Sequence, residues 1–153
     1  MKIKDIMTAD VRTCSPGTNL AAAAALMLDG DCGILPVVND GKLVGVVTDR
    51  DMYIALATRN TPASRVTVGE VARQQVWTCG PDDDVHAALK TMEAHRVRRL
   101  PVEGFSGSIL GIVSMNDILL AAGAGRAIRS DEVVDTLQGI CAHHHPAPHV
   151  AAA

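Results

Sequence analysis

Two short stretches carry residue types from which chemistry could be built. Gly45-Val46-Val47-Thr48-Asp49-Arg50-Asp51 runs an apolar strand into a hydroxyl residue, with an aspartate three positions later, and Gly111-Ile112-Val113-Ser114-Met115-Asn116-Asp117 repeats the pattern. A hydroxyl at a helix N-cap with an acid at N3 is a capping box and needs no ligand. The same geometry suits a nucleotide. A helix N-terminus offers backbone N–H groups to a phosphate, the hydroxyl can add a donor, and a carboxylate one turn in can accept the hydroxyls of a ribose. Glu or Gln is the preferred capping partner, so aspartate in both copies leans toward ribose. Both readings stand at this level.

Other reactive residues carry less. Arg98 and Arg99 are the best phosphate partners in the chain, since a guanidinium matches phosphate geometry. Their alternative is a solvated basic edge, or pairing with Asp31 or Glu93, and that reading is preferred for Arg96. Cys141, His143, His144 and His145 invite a zinc reading, with Cys141, His143 and His145 as weak candidates, because adjacent tail histidines rarely close a site without a second chain. Cys14 and Cys79 occupy equivalent places, as small apolar residues do in a packed interior. His86 and His95 read as solvent-facing. There is no Ser/His/Asp or Cys/His constellation and no Gly-x-x-x-x-Gly-Lys phosphate loop, so no enzyme activity and no required cofactor are expected.

The elements that must position the two turns form an internal repeat. Cys14 and Cys79, Pro16 and Pro81, Met27 and Met92, and Leu35-Pro36-Val37 and Leu100-Pro101-Val102 are each 65 apart. From Gly45/Gly111 onward the offset is 66, the extra residue falling between Asn39-Asp40-Gly41 and Gly104-Phe105-Ser106-Gly107, at a hairpin tip where added length costs least. In the first copy, Ile3, Ile6 and Met7 lead in and Val11–Cys14 is extended. Ser15-Pro16-Gly17 breaks it, and Thr18 is placed to cap a helix over 19–28. Strands follow over 34–38 and 43–47 around the Asn-Asp-Gly turn, then a helix over 49–57. The second copy repeats this, with a helix over 84–95, strands over 99–103 and 109–113 and a helix over 116–122. Each copy is therefore βαββα in an α+β fold, and a unit of ~60 residues buries too little surface to be comfortable alone. The pair should pack sheet to sheet about a pseudo-twofold axis. The expected divisions are 3–58 for the first motif, 59–67 for a linker, 68–122 for the second motif, and 123–153 for a C-terminal helix (about 127–142) and a mobile tail.

Bulk properties exclude several classes. The 153 residues are 48% hydrophobic and 20% charged, enough to bury a core. Net charge is −3 and the aromatics are Tyr53, Trp77 and Phe105, so both the basic footprint and the stacking platforms of a nucleic-acid binder are missing. The run Leu20–Leu28 falls short of a membrane span, and Met1-Lys2-Ile3-Lys4-Asp5 has no apolar signal core. A cytoplasmic protein with four reduced cysteines, no nucleic acid and no membrane is expected.

Asp5-Ile6-Met7, the helix-starting Pro16 and Pro81, Leu35-Pro36-Val37-Val38 with the Gly45–Asp51 turn, and Val97-Arg98-Arg99-Leu100-Pro101-Val102 together resemble a tandem pair of cystathionine-β-synthase (CBS) domains, a Bateman module, over about residues 3–122. The resemblance implies a regulatory module that binds adenosyl ligands (AMP, ADP, ATP or S-adenosylmethionine) in clefts between the copies, often as a homodimer acting on a partner protein. It implies one site from Thr48, Asp51, Val76, Thr78, Val97 and Arg99, and another from Ser114, Asp117, Val11, Thr13 and Ile34, with Arg98 assigned to the second. Because the first copy has Gly33-Ile34 where the second has Arg98-Arg99, the Asp51 site is the one favoured for phosphate. The rival classes are a dimeric interaction scaffold that binds no nucleotide and a metal- or redox-responsive protein using Cys141 and the tail histidines.

Overall fold

Asp40 at φ 50° and Gly41 at φ 75° place two consecutive residues in the left-handed region, the conformation of a two-residue hairpin turn whose twist matches its strands. That turn joins β1 (Ile34–Asn39) to β2 (Lys42–Thr48), antiparallel with Leu35 opposite Val47. The second copy pairs β3 (Arg99–Glu103) with β4 (Ile109–Ser114), Leu100 opposite Val113. The computed structural model describes residues 1–142. Its helices are α1 (Leu20–Asp29), α2 (Asp49–Arg59), α3 (Val85–His95), α4 (Met115–Ala121) and α5 (Ser130–Cys141), with single 3-10 turns at Ile3–Asp5, Ala63–Arg65 and Val68–Glu70.

The expected α+β architecture is present, with three local differences. Val11–Cys14 and Val76–Cys79 do not become regular strands. Each makes one parallel bridge, Cys14 to Val37 and Cys79 to Val102. The partner strands carry Pro36 and Pro101, which have no N–H to extend the ladder. The cap of α1 is Asn19, whose side chain accepts from Ala22 N at 2.9 Å, while Thr18 Oγ1 accepts from Ser15 N. The C-terminal helix starts at Ser130, leaving Ile128 buried ahead of it.

Helical spacing decides what each helix buries. Val85, Ala88, Leu89 and Met92 form one face of α3, all at most 2% exposed, and Leu20, Ala23 and Met27 form the buried face of α1. Full burial of a Leu or Met stabilises by about 1.5–3 kcal/mol. The two cores exchange their lead-in segments. Ile3, which sequence order gives to the first copy, is buried in the second core with Leu100 and Ile118; Val68, which precedes the second copy, is buried in the first with Leu35 and Val47. Backbone pairing follows the same path: Thr8 bridges Ile112 of β4 and Arg73 bridges Val46 of β2. The copies are interlocked rather than merely adjacent. The second core alone is extended by Ile128, Val133 and Ile140, as α5 packs on α3 and α4, and His86 of α3 stands between Asp84 (2.6 Å) and Glu132 of α5 (3.4 Å).

No described helix is long and apolar enough to cross a membrane.

Candidate functional site

The exchanged lead-ins create two clefts, each walled by both copies. Where a lead-in crosses a strand the backbones approach closely. A Cβ on Gly45 would stand 2.9 Å from the Arg73 carbonyl oxygen, and one on Gly111 2.6 Å from that of Thr8. Glycine opens each turn motif because another backbone segment lies against it.

Both turns form full capping boxes. Thr48 Oγ1 accepts from Asp51 N at 3.2 Å and donates to Asp51 Oδ2 at 2.6 Å; Ser114 Oγ accepts from Asp117 N at 3.3 Å and donates to Asp117 Oδ2 at 2.6 Å. The backbone N–H groups of Thr48 and Ser114 reach the same Oδ2 atoms, at 3.3 and 2.7 Å. Each hydroxyl's single proton is therefore committed to its aspartate, and it donates to a phosphate only by turning away. In each aspartate Oδ1 is the oxygen left over, and here the copies part. Asp51 Oδ1 accepts from Arg73 Nη2 at 2.7 Å and from Arg73 Nε at 3.1 Å, whereas no donor among the described residues reaches Asp117 Oδ1. Burial pushes the Asp51 carboxyl up, but the hydrogen bonds from Arg73 and Thr48 and the Arg73 charge outweigh it and bring the group below its ordinary value.

The first cleft, about 850 Å³, has apolar walls from Ile34 and Val46 of one copy and Val76, Val97 and Pro101 of the other, with Ile140 of α5 at one side. Five arginines, Arg50, Arg73, Arg96, Arg98 and Arg99, line it against one carboxylate, Asp49. At its edge Trp77 stacks on His95, ring centroids 3.4 Å apart and planes 7° apart. The second cleft, about 440 Å³, is lined by Val11, Ile34 and Ile112 and by Ser114 and Asp117. Its charges are two arginines, Arg12 and Arg99, against three carboxylates, Asp10, Asp31 and Asp117.

Of the residues expected at the first site, Thr48, Val76, Val97 and Arg99 line the cleft. Asp51 sits behind Thr48 in the capping box, its side chain 10% exposed, and Thr78 is not on the wall. At the second, Val11, Ile34, Ser114 and Asp117 line the cavity and Thr13 does not. Arg98 is a correction. It lines the first cleft, not the second, and its Nη2 donates to Cys141 Sγ at 3.4 Å. Arg99, the first residue of β3, lines both. Sequence reasoning missed Arg73, Trp77, His95 and Arg12. The offset of 65 that pairs Cys14 with Cys79 also pairs Thr8 with Arg73, which was the available signal, but only the crossover puts Arg73 beside Asp51.

Cys14 and Cys79 are buried, and burial pushes their thiols up to about 11 and about 12, which keeps them protonated and unreactive. No group of three or more His, Cys, Asp or Glu side chains able to hold a metal occurs among the described residues. His143 and His145, and the expected mobile tail, lie outside them.

The CBS domain family matches residues 3–58 and 68–124. The CBS domain-containing protein YhcV of Bacillus subtilis is 35% identical over 76% of this chain and 81% of its own. Hypoxic response protein 1 of Mycobacterium tuberculosis is 32% identical over 90% and 92%. Among solved structures, Hypoxic Response Protein I with two coordinated zinc ions aligns with a TM-score of 0.71 at 33% identity, covering 78% of this chain and 98% of that one. The CBS domain pair of protein MJ0100, in complex with 5′-methylthioadenosine and S-adenosyl-L-methionine, aligns with a TM-score of 0.70 at 28% identity over 77% and 96%.

Proposed function

Since the chain belongs to the CBS-domain family as a tandem pair, we propose that it is a regulatory module that binds an adenosyl nucleotide between its copies and passes the binding on through rearrangement. The observation that carries the reading is the first cleft, where a capped helix N-terminus, apolar walls and five arginines converge on one space. Base and ribose fit the roles of Val76, Val97, Ile34 and the Thr48–Asp51 turn, and phosphates those of Arg98 and Arg99, since the first N–H groups of α2 are already taken by Gly33 O, Asp49 Oδ1 and Thr48 Oγ1. The liganded state of the MJ0100 pair supports the same class of ligand.

The mechanism follows from the interlock. A ligand seated here touches α2 and β2 of one copy and Val76, Val97 and Arg99 of the other, so it favours the relative arrangement in which both walls fit. It shifts the population only by its differential affinity for the two arrangements. The reading contains no catalytic step. Output passes through a homodimer contact or a partner protein.

Titration calorimetry with AMP, ADP, ATP and S-adenosylmethionine tests it, together with mass spectrometry of small molecules released from the purified protein. Heat with at least one, lost in Arg99→Ala, is the expected result. No heat with any of them at millimolar concentration would leave the interaction scaffold as the better reading.

A further inference from the structure

Arg73 takes the one oxygen of Asp51 that its capping box leaves over. If the aspartate is to accept ribose hydroxyls, ribose and guanidinium compete for that oxygen. The guanidinium can leave, because the Arg73 side chain is 60% exposed and regains water. The Asp51 side chain is 10% exposed, so the pair opens only where an incoming hydroxyl takes the guanidinium's place on Oδ1. Arg73 also lines the cleft that holds four other arginines, so a guanidinium leaving Asp51 stays beside the space a phosphate would fill. The second cleft is the internal contrast. Thr8 stands at the repeat position of Arg73, and Asp117 Oδ1 has no donor among the described residues. Carboxylates outnumber arginines there, and α4 has only seven residues.

We propose that Arg73 is the specificity-determining residue of the first cleft: it blocks Asp51 against uncharged nucleosides and is released only to a nucleotide that supplies a phosphate for it. The first cleft thereby takes adenine nucleotides with anionic 5′ groups, and the second takes adenosyl compounds whose 5′ group is neutral or cationic. The proposal rests on the nucleotide reading of the clefts. A nucleoside loses the ion pair and returns nothing to the guanidinium. A nucleotide replaces that pair with a charge-assisted bond to phosphate.

The test is calorimetric, with adenosine and ATP as probes, in an Asp117→Asn background so that the first cleft alone is read. Arg73 lies outside both apolar cores, and urea midpoints check that Arg73→Gln folds. Arg73→Gln is expected to tighten adenosine about threefold by removing the competitor. It should weaken ATP about tenfold by removing a phosphate partner. The preference for ATP over adenosine then falls about thirtyfold. Equal changes for both ligands, or weaker ATP with adenosine unchanged, would overturn the competition and leave the nucleotide reading intact. Binding of neither probe by the protein with native Arg73 would overturn both. Thr8→Arg is the reciprocal variant: with native Asp117 it should weaken adenosine at the second cleft, and unchanged binding there counts against the proposal.

Discussion

Gly111→Ala and Gly45→Ala make the same chemical change at equivalent points of the two copies, and the structure predicts unequal costs. At Gly111 the new Cβ would meet the Thr8 carbonyl oxygen at 2.6 Å and Met7 Sδ at 3.0 Å, and at Gly45 the Arg73 carbonyl oxygen at 2.9 Å. The first is about 0.8 Å short of ordinary contact and the second about 0.5 Å. Met7 is flexible and gives way cheaply, but the carbonyls do not, since Ile112 N donates to Thr8 O at 2.9 Å and Val46 N to Arg73 O at 3.0 Å. At position 111 relief requires opening the Thr8–Ile112 bridge, two hydrogen bonds of about 1 kcal/mol net each. Alanine returns about 0.4–1 kcal/mol by restricting the unfolded chain. The net is a loss of about 1–2 kcal/mol for Gly111→Ala. At position 45 the smaller overlap stretches the Arg73–Val46 bridge without opening it, which costs about one hydrogen bond rather than two and leaves a net loss of about 0–1 kcal/mol. Urea unfolding, with m held in common, measures both. A Gly45→Ala loss equal to or larger than that of Gly111→Ala, or no loss at Gly111, would refute the idea that lead-in crossing is what demands glycine. Gly45→Ala carries a second consequence: moving Arg73 loosens its hold on Asp51, so nucleoside binding should tighten where stability barely changes.

Other outcomes follow from the same geometry. Iodoacetamide at pH 8 should modify exposed Cys141 first and half-buried Cys32 more slowly, leaving Cys14 and Cys79 untouched in peptide mass maps, since burial holds those thiols at about 11 and about 12. Because these two values lie above that of an unfolded thiol, stability should be intact below about pH 8.5 and fall as pH rises toward 12; a flat alkaline profile in urea midpoints argues against it. The carboxyls run the other way. Asp51 sits below its ordinary value, and Asp84 is held at about 2 by the backbone N–H and ring of His86. Stability from both is complete above about pH 4 and drains as pH falls through the folded values. Asp51→Asn should flatten part of that acid limb. Val133→Ala and Ile128→Ala should each cost about 1–4 kcal/mol, because both side chains are fully buried in the second core; a loss below 0.5 kcal/mol, read against the roughly 1 kcal/mol of an average mutation, would mean that α5 is an appendage.

Much of this molecule was legible in the chain because it depends on near neighbours. The Asn39-Asp40-Gly41 turn, the apolar spacing of α3 and the hydroxyl–acid caps at Thr48 and Ser114 are all set within a few residues, and all appear where they were expected. The edges were less legible. Thr18 and Asn19 are both good caps, and the choice of Asn19 depends on Ser15 drawing Thr18 back. The first strand of each copy read as a strand, but proline in its partner leaves one bridge.

The two turns therefore belong to both levels. Sequence alone determined that there are two of them, that each caps a helix and that each ends a strand pair, because local hydrogen bonding and a repeated pattern decide those things. Tertiary structure alone decided what each turn faces. The lead-ins cross between copies, so Ile3 serves the second core, Val68 the first, and Arg73 arrives at Asp51 while Thr8 arrives near Ser114. The chain path likewise sends Arg98 to the first cleft and spreads Arg99 across both. Such pairings span 22 residues and more. They are chosen by which buried face each segment completes, a global packing condition that no local window of the sequence contains.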